Sequence, residues 1–409
     1  MMNVNRTCLA ALASLLAASA GAQQLACEKS FAFRADVDGV AGNTLCVSRA
    51  STFQDAARNF TLSNSAYTLT SGALVQGRFS DVNVIMSYAR NSNTFDYNFV
   101  ELGASGSFTG ATRSESQDQF VDFVKKSDII GRLMKYQAQH SATSPIAGVG
   151  GVIPMAGAND FSSSFDTLSK VSPGAPQGSG SSNNQIGVGL SYGSYSISGS
   201  SDRVTTTSLP LSYTIRNDID PRRQLVFSLP LTKTSIGDAD SYHGGLGVSY
   251  RVPMSDNWTL TPGGKYSVVA SRERATLASV LSASLMSTWL VPMANFDLAI
   301  GNMLGYYRTA KFSSGDYAFN PDVNLTMLRN GILLSTPTSM FGSKMALEYS
   351  LIDTRYLGSK PFISNSQELG ITLGTNRNAT NARTYSRAGL SWLHAKESNG
   401  FNLNFGYWF

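Results

Sequence analysis

Histidines, serines and cysteines are the residues of this sequence that could act as general bases, nucleophiles or metal ligands. The chain has three histidines, His140, His243 and His394. On a strand, a catalytic serine and histidine share one face only at an even spacing, but the serine nearest before His394 is Ser391. The scattered histidines and the cysteines do not have the spacing of a metal site. We therefore expect no enzyme activity, no cofactor and no metal ion.

Residues 1–22 have the features of a secretory signal peptide. Arg6 lies in a short polar start, an apolar run extends from Cys8 to Ala18, and Ala20-Gly21-Ala22 is a small-residue cleavage site before Gln23. Removal of Arg6 takes one of 32 basic residues from the balance against 27 acidic ones, and the formal net charge falls from +5 to +4. That charge is too small to indicate a nucleic-acid partner.

Cys27 and Cys46 remain after the signal peptide is removed and enclose a short loop. In an oxidising compartment such a pair favours a disulfide. The alternatives are a lipid-modified Cys27 and two free thiols. The segment Gln24-Leu25-Ala26-Cys27 lacks a leucine three residues before the cysteine, which argues against lipidation.

The segment from Gly400 to Phe409 predicts a β-strand with one apolar face. That face is formed by Phe401, Leu403, Phe405, Tyr407 and Phe409. An uncovered aromatic strand is an aggregation hazard, which a closed transmembrane barrel removes. A final strand of this kind resembles the assembly signal of bacterial outer-membrane barrels, which implies insertion by the barrel-assembly machinery.

The same alternation recurs along residues 185–409, as transmembrane β-barrels require. Only 14% of the residues are charged, and the chain contains 37 glycines and 17 tyrosines. We predict an all-β transmembrane fold, an antiparallel outer-membrane β-barrel of twelve strands that contacts outer-membrane lipid, with the first strand pairing with the last. The predicted strands are 185–192, 209–215, 225–231, 246–252, 260–270, 278–290, 296–308, 323–335, 345–352, 367–374, 385–394 and 401–409.

The segment from Leu325 to Ser335 has the least regular phase. Arg329-Asn330-Gly331 could form a hairpin turn, but each half would then be too short to span a membrane. We therefore predict one strand whose phase shifts at a bulge. The longest connectors, from Lys311 to Asp322 and from Asp353 to Asn365, fall at the same, external end in a count of twelve.

Charged residues on the polar phase of the strands are the candidate lumen residues. They are Arg216, Arg251, Lys265, Asp297, Glu348 and Arg387. Such charges indicate either a solvated wall stabilised by salt bridges or a solute-selective constriction. Aromatic residues near the strand ends predict an interfacial girdle: Tyr192, Tyr250, Trp289, Tyr306, Trp392 and Tyr407.

The residues before the barrel fall into two parts. Residues 23–113 predict a small β-rich module with strands near 73–79, 82–88 and 95–100. Residues 114–184 predict a helix from Ser114 to about His140, a weak helix signal from Asp160 to Lys170, and a Gly/Ser/Pro-rich tether from Ser172 to Ser182. The long helix could enter or cap the lumen, or it could pack on the module, and the tether could also thread the lumen.

Residues 114–409 resemble the translocator domains of autotransporters, and most closely the solitary outer-membrane autotransporter-like barrels that carry no large passenger. The resemblance rests on Glu115-Ser116-Gln117-Asp118-Gln119-Phe120, on Ser144-Pro145-Ile146-Ala147-Gly148, and on Ile300-Gly301-Asn302-Met303-Leu304-Gly305-Tyr306-Tyr307-Arg308. These motifs are architectural, so the resemblance implies a fold more strongly than an activity.

Barrel pattern and resemblance together give the expected function. We expect a Gram-negative outer-membrane pore of autotransporter or translocator type, with the segment before the first strand as a lumen plug and the first module in the periplasm. An exported polypeptide would then be a partner. The alternative is a non-conducting structural or surface-interaction barrel that anchors a periplasmic module.

Overall fold

The computed structural model of the protein describes residues 25–165, 184–220, 222–314, 317–340, 342–375 and 385–409. The predicted signal peptide and tether lie outside the described residues. The chain divides into two compact units, Met1–Asp122 and Phe123–Phe409, which places the division later than residue 113. None of the helices in the described ranges is long and apolar enough to cross a membrane.

A six-stranded antiparallel sheet and a short helix form the first unit. Its elements are β1 Phe31–Val37, β2 Leu45–Val47, α1 Ala50–Arg58, a 3-10 turn Phe60–Leu62, β3 Ala73–Phe79, β4 Val82–Tyr88, β5 Thr94–Phe99 and β6 Ala104–Thr109. The strand order is β2-β1-β3-β4-β5-β6, so β3 to β5 match the predicted segments and the other three strands were not predicted. Phe31, Phe33 and Phe60 are fully buried in its aromatic core.

Cys27 and Cys46 are joined by a disulfide, with their Cα atoms 5.8 Å apart. Cys46 lies on β2, where it pairs with Ala32 of the neighbouring strand β1. The bond therefore ties residue 27 to the edge strand of the sheet. Cross-linking of this kind restricts the unfolded chain and supports a small core.

The predicted helix from Ser114 to about His140 is wrong as a single element. Two helices, α2 Arg113–Lys126 and α3 Ile129–His140, are separated at Ser127. The Ser127 hydroxyl accepts a hydrogen bond from the Ile129 amide at 3.3 Å. Serine and aspartate side chains compete with the helical backbone in this way and favour helix starts.

The two helices have different environments, and neither alternative predicted for the long helix describes both of them. Phe120 of α2 packs against Phe95 and Tyr97 of the sheet. Met134 and Ala138 of α3 are buried in the main core of the second unit.

Within the described residues, twelve antiparallel strands of the second unit close into a barrel. They are β7 Gln185–Ile197, β8 Val204–Arg216, β9 Gln224–Ile236, β10 Ala239–Pro253, β11 Trp258–Ser271, β12 Thr276–Pro292, β13 Asp297–Ala310, β16 Asn324–Met340, β17 Ser343–Gly358, β18 Asn365–Thr375, β19 Tyr385–Ala395 and β20 Ser398–Trp408. A small hairpin, β14 Phe312–Ser314 and β15 Tyr317–Phe319, lies between β13 and β16. The predicted twelve-stranded barrel is confirmed.

The barrel closes between its first and last strands, as predicted. Leu190 of β7 pairs with Phe405 of β20, and Ile186 exchanges two backbone hydrogen bonds with Phe409, at 2.8 and 3.0 Å. We call the end that holds Gln185 and Phe409 the terminal end, and the opposite end the loop end.

Two predictions about individual strands need correction. β16 is one strand, but it pairs with β13 and β17 in continuous register through Arg329, Asn330 and Gly331, so the predicted bulge is wrong. β17 continues to Gly358, so the second long connector shrinks to residues 359–364. Both connectors lie at the loop end.

Candidate functional site

The lumen contains a helix, α4 Val152–Phe165, that follows α3 and precedes the barrel. It packs on inward-facing residues of β10 to β13. The helix begins eight residues before the weak signal predicted from Asp160 to Lys170, and residues 166–170 of that prediction lie outside the described residues. At about 1.5 Å per residue the helix is roughly 21 Å long. Its buried apolar residues belong to one core with the wall of β11, β12, β13, β16 and β17.

The aromatic rings of α4 pack against two glycines of the barrel wall. Gly301 of β13 pairs with Gly331 of β16. A Cβ on Gly331 would lie 2.8 Å from the Phe161 ring, and one on Gly301 would lie 2.7 Å from the Phe165 ring. The missing side chains therefore form a hollow that fits both rings, which are fully buried.

Polar groups of the wall also hold the helix. Lys265 Nζ lies 2.5 Å from Asp160 Oδ1, and the Tyr307 hydroxyl donates to Asp160 Oδ2 at 3.3 Å. Near the terminal end, the Arg251 guanidinium donates to the Ser163 and Ser164 carbonyls at 3.3 and 3.2 Å. These bonds satisfy charges that would otherwise be buried at a high free-energy cost.

Helix α3 and the turn after it contact connectors of the loop end. Lys135 forms a 3.0 Å ion pair with Asp322, the Ala138 carbonyl accepts from the Phe362 amide at 3.0 Å, and the Thr143 carbonyl accepts from Arg274 at 2.6 Å. The chain therefore enters the barrel at its loop end. It then runs through the lumen as α4 toward Arg251 and the terminal end.

The opposite half of the lumen leaves a cavity of about 360 Å³, whose lining is partly polar and partly apolar. Small and polar residues of β7 to β9 and β18 to β20 line it, because these strands alternate Ser, Thr, Asn and Gly with outward apolar residues. The charged side chains in its lining are Asp160, Arg216, Lys265, Arg329, Glu368 and Arg387.

The predicted lumen charges lie on the inward phase of their strands. Arg216 donates to Gln185 Oε1 at 2.6 Å, and Arg387 forms an ion pair with Glu348 of β17. Lys265 and Arg251 bind α4, as described above. Asp297 occupies the first position of β13, at the terminal end, and is half-buried.

Sequence reasoning missed the pair Arg329 and Glu368, whose side chains are 3.0 Å apart. The Arg329 guanidinium also lies over the Phe161 ring at 5.2 Å. The inward position of Arg329 was hidden because Leu325, Met327 and Leu333 share its face. These apolar residues face inward because they belong to the core formed with α4.

The outer wall carries an apolar belt. Of the predicted girdle and assembly residues, all point outward and remain exposed: Tyr192, Tyr250, Trp289, Tyr306, Trp392, Phe401, Leu403, Phe405, Tyr407 and Phe409. Their strands are 11 to 17 residues long, and about 9 to 11 residues are enough to cross a membrane.

The two histidines on the barrel strands lie in different environments. His243 is buried, and its Nε2 lies 3.2 Å from the Gly150 carbonyl oxygen. His394 is on the outer wall, with Nδ1 2.5 Å from Asn399 Oδ1. Among the described residues, no group of three or more His, Cys, Asp or Glu side chains could hold a metal ion.

No protein-family model and no curated protein matches the sequence. Among solved structures, the chain is similar to the translocator domain of the autotransporter NalP from Neisseria meningitidis, with 11% identity over 67% of this chain and 99% of that one, at a TM-score of 0.45. It is also similar to the β-domain of the Bordetella autotransporter BrkA, with 13% identity, 55% and 98% coverage and a TM-score of 0.42. An outer-membrane channel from Pseudomonas putida F1 gives 14% identity, 58% and 99% coverage and a TM-score of 0.35.

Proposed function

We propose that this chain is an outer-membrane β-barrel of translocator type, with its own helix α4 resident in the lumen as a plug. The observation that carries the proposal is the path of the chain, which enters at the loop end and passes through the lumen as α4. The apolar core around Phe161 and Phe165 supports a helix that stays in place.

The outer-membrane location is supported by the outer wall. Its apolar side chains suit lipid, its aromatic residues suit the two interfaces, and its strands are long enough to span. We propose a Gram-negative outer membrane, insertion by the barrel-assembly machinery through the last strand, and outer-membrane lipid as the surrounding solvent.

The path of the chain also bears on the side of the membrane that the first unit occupies. Barrels of this type have their termini on the periplasmic side and their longer loops outside. Residues that lead into α3 then start from the external side, where Lys135 meets Asp322. We propose an exposed first unit in place of the periplasmic one expected from the sequence, and this unit is then the exported polypeptide.

An epitope insertion tests this sidedness. Gly39 lies in a turn at φ +89°, with open space where a side chain would lie, and is a suitable insertion point. We expect antibody binding and protease cleavage on intact cells. A matched insertion at Gly342, in the turn between β16 and β17, should react only after permeabilisation. Labelling of the Gly342 insertion but not of the Gly39 insertion on intact cells would indicate that the first unit is periplasmic.

A second candidate function is passage of small polar solutes, which the cavity of about 360 Å³ beside α4 favours. Planar-bilayer conductance separates the possibilities when wild type is compared with a locked variant. Gly157→Cys with Met327→Cys joins α4 to the wall, since a Cβ on Gly157 would meet Met327 Sδ. Reduction of the new disulfide provides the control.

Each conductance result has a distinct meaning. Equal conductance of the locked and wild-type proteins supports solute passage beside a resident helix. Conductance that the lock abolishes contradicts the resident plug. A barrel that does not conduct, while a chain starting at Gln185 does, is a plugged translocator. If neither the full chain nor the chain starting at Gln185 conducts, the protein is the non-conducting anchor.

We also propose that the chain is not an enzyme and has no nucleic-acid partner. His243 contacts a backbone carbonyl, and His394 faces outward beside Asn399. A hydrolase assay with ester and peptide substrates would overturn this proposal if His243→Ala removed a measurable activity.

A further inference from the structure

Asn302 of β13 and Asn330 of β16 form an amide pair on the outer wall of the barrel. They are register partners, both are exposed, and Asn302 Nδ2 donates to Asn330 Oδ1 at 2.7 Å. Both point away from the lumen, because Gly301, Met303 and Arg329 on either side are buried.

The pair lies inside the apolar belt and not at its rim. Along β13 the outward neighbours of Asn302 are Ile300 and Leu304, and along β16 those of Asn330 are Leu328 and Ile332. Among the described outward-facing amides, these two alone have apolar outward neighbours on both sides. Hydrocarbon offers no hydrogen-bond partners to the remaining amide groups, so polar side chains at this depth favour contact with other protein.

The unused groups of the pair are complementary to those of a second copy. After the bond within the pair, Asn302 Oδ1 still accepts and Asn330 Nδ2 still donates. A two-fold axis along the membrane normal sets β13 of one copy opposite β16 of the other. Asn330 of each copy can then donate to Asn302 of its partner, which closes a ring of four amides.

The apolar neighbours follow the same symmetry. The register partners are Ile300 with Ile332 and Leu304 with Leu328, so the row on each side of the amides contains branched apolar side chains from both strands. The two-fold operation keeps each residue at its depth in the membrane, so apolar side chains of both copies surround the four amides.

We propose that the outer face of β13 and β16 is a self-association surface, through which two copies of the barrel pair side by side in the membrane. The inference rests on the proposed membrane location, but not on the plug or on the side of the first unit. Arg308, two residues beyond Tyr306 on the same face, is exposed at the loop end of β13 and lies outside the paired rows.

Oxidative cross-linking of full chains in outer membranes tests this surface. Differently tagged Asn302→Cys and Asn330→Cys chains are co-expressed, with Leu246→Cys as the control on the outward face of β10. We expect the mixed cross-link to exceed the control by about tenfold, the factor given by one or two hydrogen bonds between membrane segments. A mixed cross-link no stronger than the control overturns the proposal, as does a product containing a different protein.

A second measurement needs no cysteine. The double variant Asn302→Leu/Asn330→Leu should weaken self-association of the detergent-solubilised chain about tenfold in analytical ultracentrifugation. Unchanged association contradicts the proposal. A lipophilic thiol probe on Leu246→Cys checks the premise separately, since failure to label would count against the membrane location and not against the pairing alone.

Discussion

Arg113 is a buried arginine that joins several segments of the first unit. Its side chain is 2% exposed, donates to the carbonyls of Ser92, Ser71 and Ala89 at 2.9, 2.7 and 3.1 Å, and lies over the Tyr88 ring at 4.4 Å. The guanidinium thus satisfies buried carbonyls from two loops at once. A planar group with five donors can do this, and an ammonium cannot reach all of them.

Arg113→Met should therefore destabilise the first unit by about 3 kcal/mol or more, because each buried acceptor left unpaired costs roughly 1–3 kcal/mol. Arg113→Lys should lose less, since it keeps the charge over Tyr88. Urea-dependent pulse proteolysis of the full chain in detergent measures both. Identical urea midpoints for wild type and Arg113→Met would contradict the role given to this side chain.

Asp38 gives the first unit a pH dependence with a defined sign. The Arg90 guanidinium, 3.1 and 3.0 Å away, lowers the pKa of Asp38 below 3.8, and the Gly72 amide adds to the effect. A carboxyl with a lowered folded-state pKa contributes stability above its unfolded pKa, and this contribution is lost as pH falls through the folded value.

Asp38→Asn should accordingly lower the urea midpoint at pH 7, and it should lower the midpoint less at an acidic pH below 3.8, because the contribution of Asp38 is lost as the pH falls through its lowered folded-state pKa. Asn keeps the shape of the side chain and tolerates the positive φ of 48° at this position. Pulse proteolysis at the two pH values is the measurement. A larger difference at low pH than at pH 7 would show that the sign is wrong.

At the scale of elements, the glycine hollow decides how closely α4 approaches the wall. Gly331→Val should push the Phe161 ring away and cost about 1–3 kcal/mol, the usual penalty for overpacking a core. Gly264→Val is the matched control, because its Cβ would point outward and the nearest atom is 3.6 Å away. Thermal unfolding of both variants in detergent gives the comparison. Equal losses of stability in the two variants would mean that the glycine hollow does not determine how α4 packs on the wall.

The barrel strands could be predicted from sequence because their outer faces all meet the same apolar solvent. Ile186, Leu190 and Phe405 obey one alternation whatever lies inside. The inner faces meet two environments, so prediction failed where β16 packs on α4. There the apolar residues Leu325, Met327 and Leu333 face inward. The sequence therefore shows an apparent shift of the apolar alternation, which was interpreted as a bulge.

The candidate site could be predicted only in part for the same reason. The inward positions of Arg216, Arg251 and Lys265 could be predicted because the other residues on the same face of their strands are mostly small or polar. The break at Ser127 depends on one hydroxyl and on helices that enter different cores, which no local periodicity reveals. The fit of Gly331 to Phe161 joins residues 170 positions apart in sequence, so it could not be read from either segment.

At the scale of the whole molecule, the two faces of the wall should respond oppositely to charge. Leu246 lies at the centre of β10, points outward and is 69% exposed, whereas Asn402 of β20 lines the lumen cavity. If lipid surrounds the barrel, Leu246→Arg buries a cation in hydrocarbon and should cost about 2–4 kcal/mol of folding free energy. Asn402→Arg places the same cation in a cavity whose lining includes Asp160 and Glu368, and should cost little.

Urea-dependent folding into phospholipid vesicles measures both variants against wild type. The comparison is informative because the two substitutions add the same side chain to strands of one barrel and differ in the solvent that each face meets. A reversed order, with Asn402→Arg the more damaging change, would mean that the outer wall is covered by something other than lipid. The order expected here requires both an apolar exterior and a lumen that α4 leaves partly open.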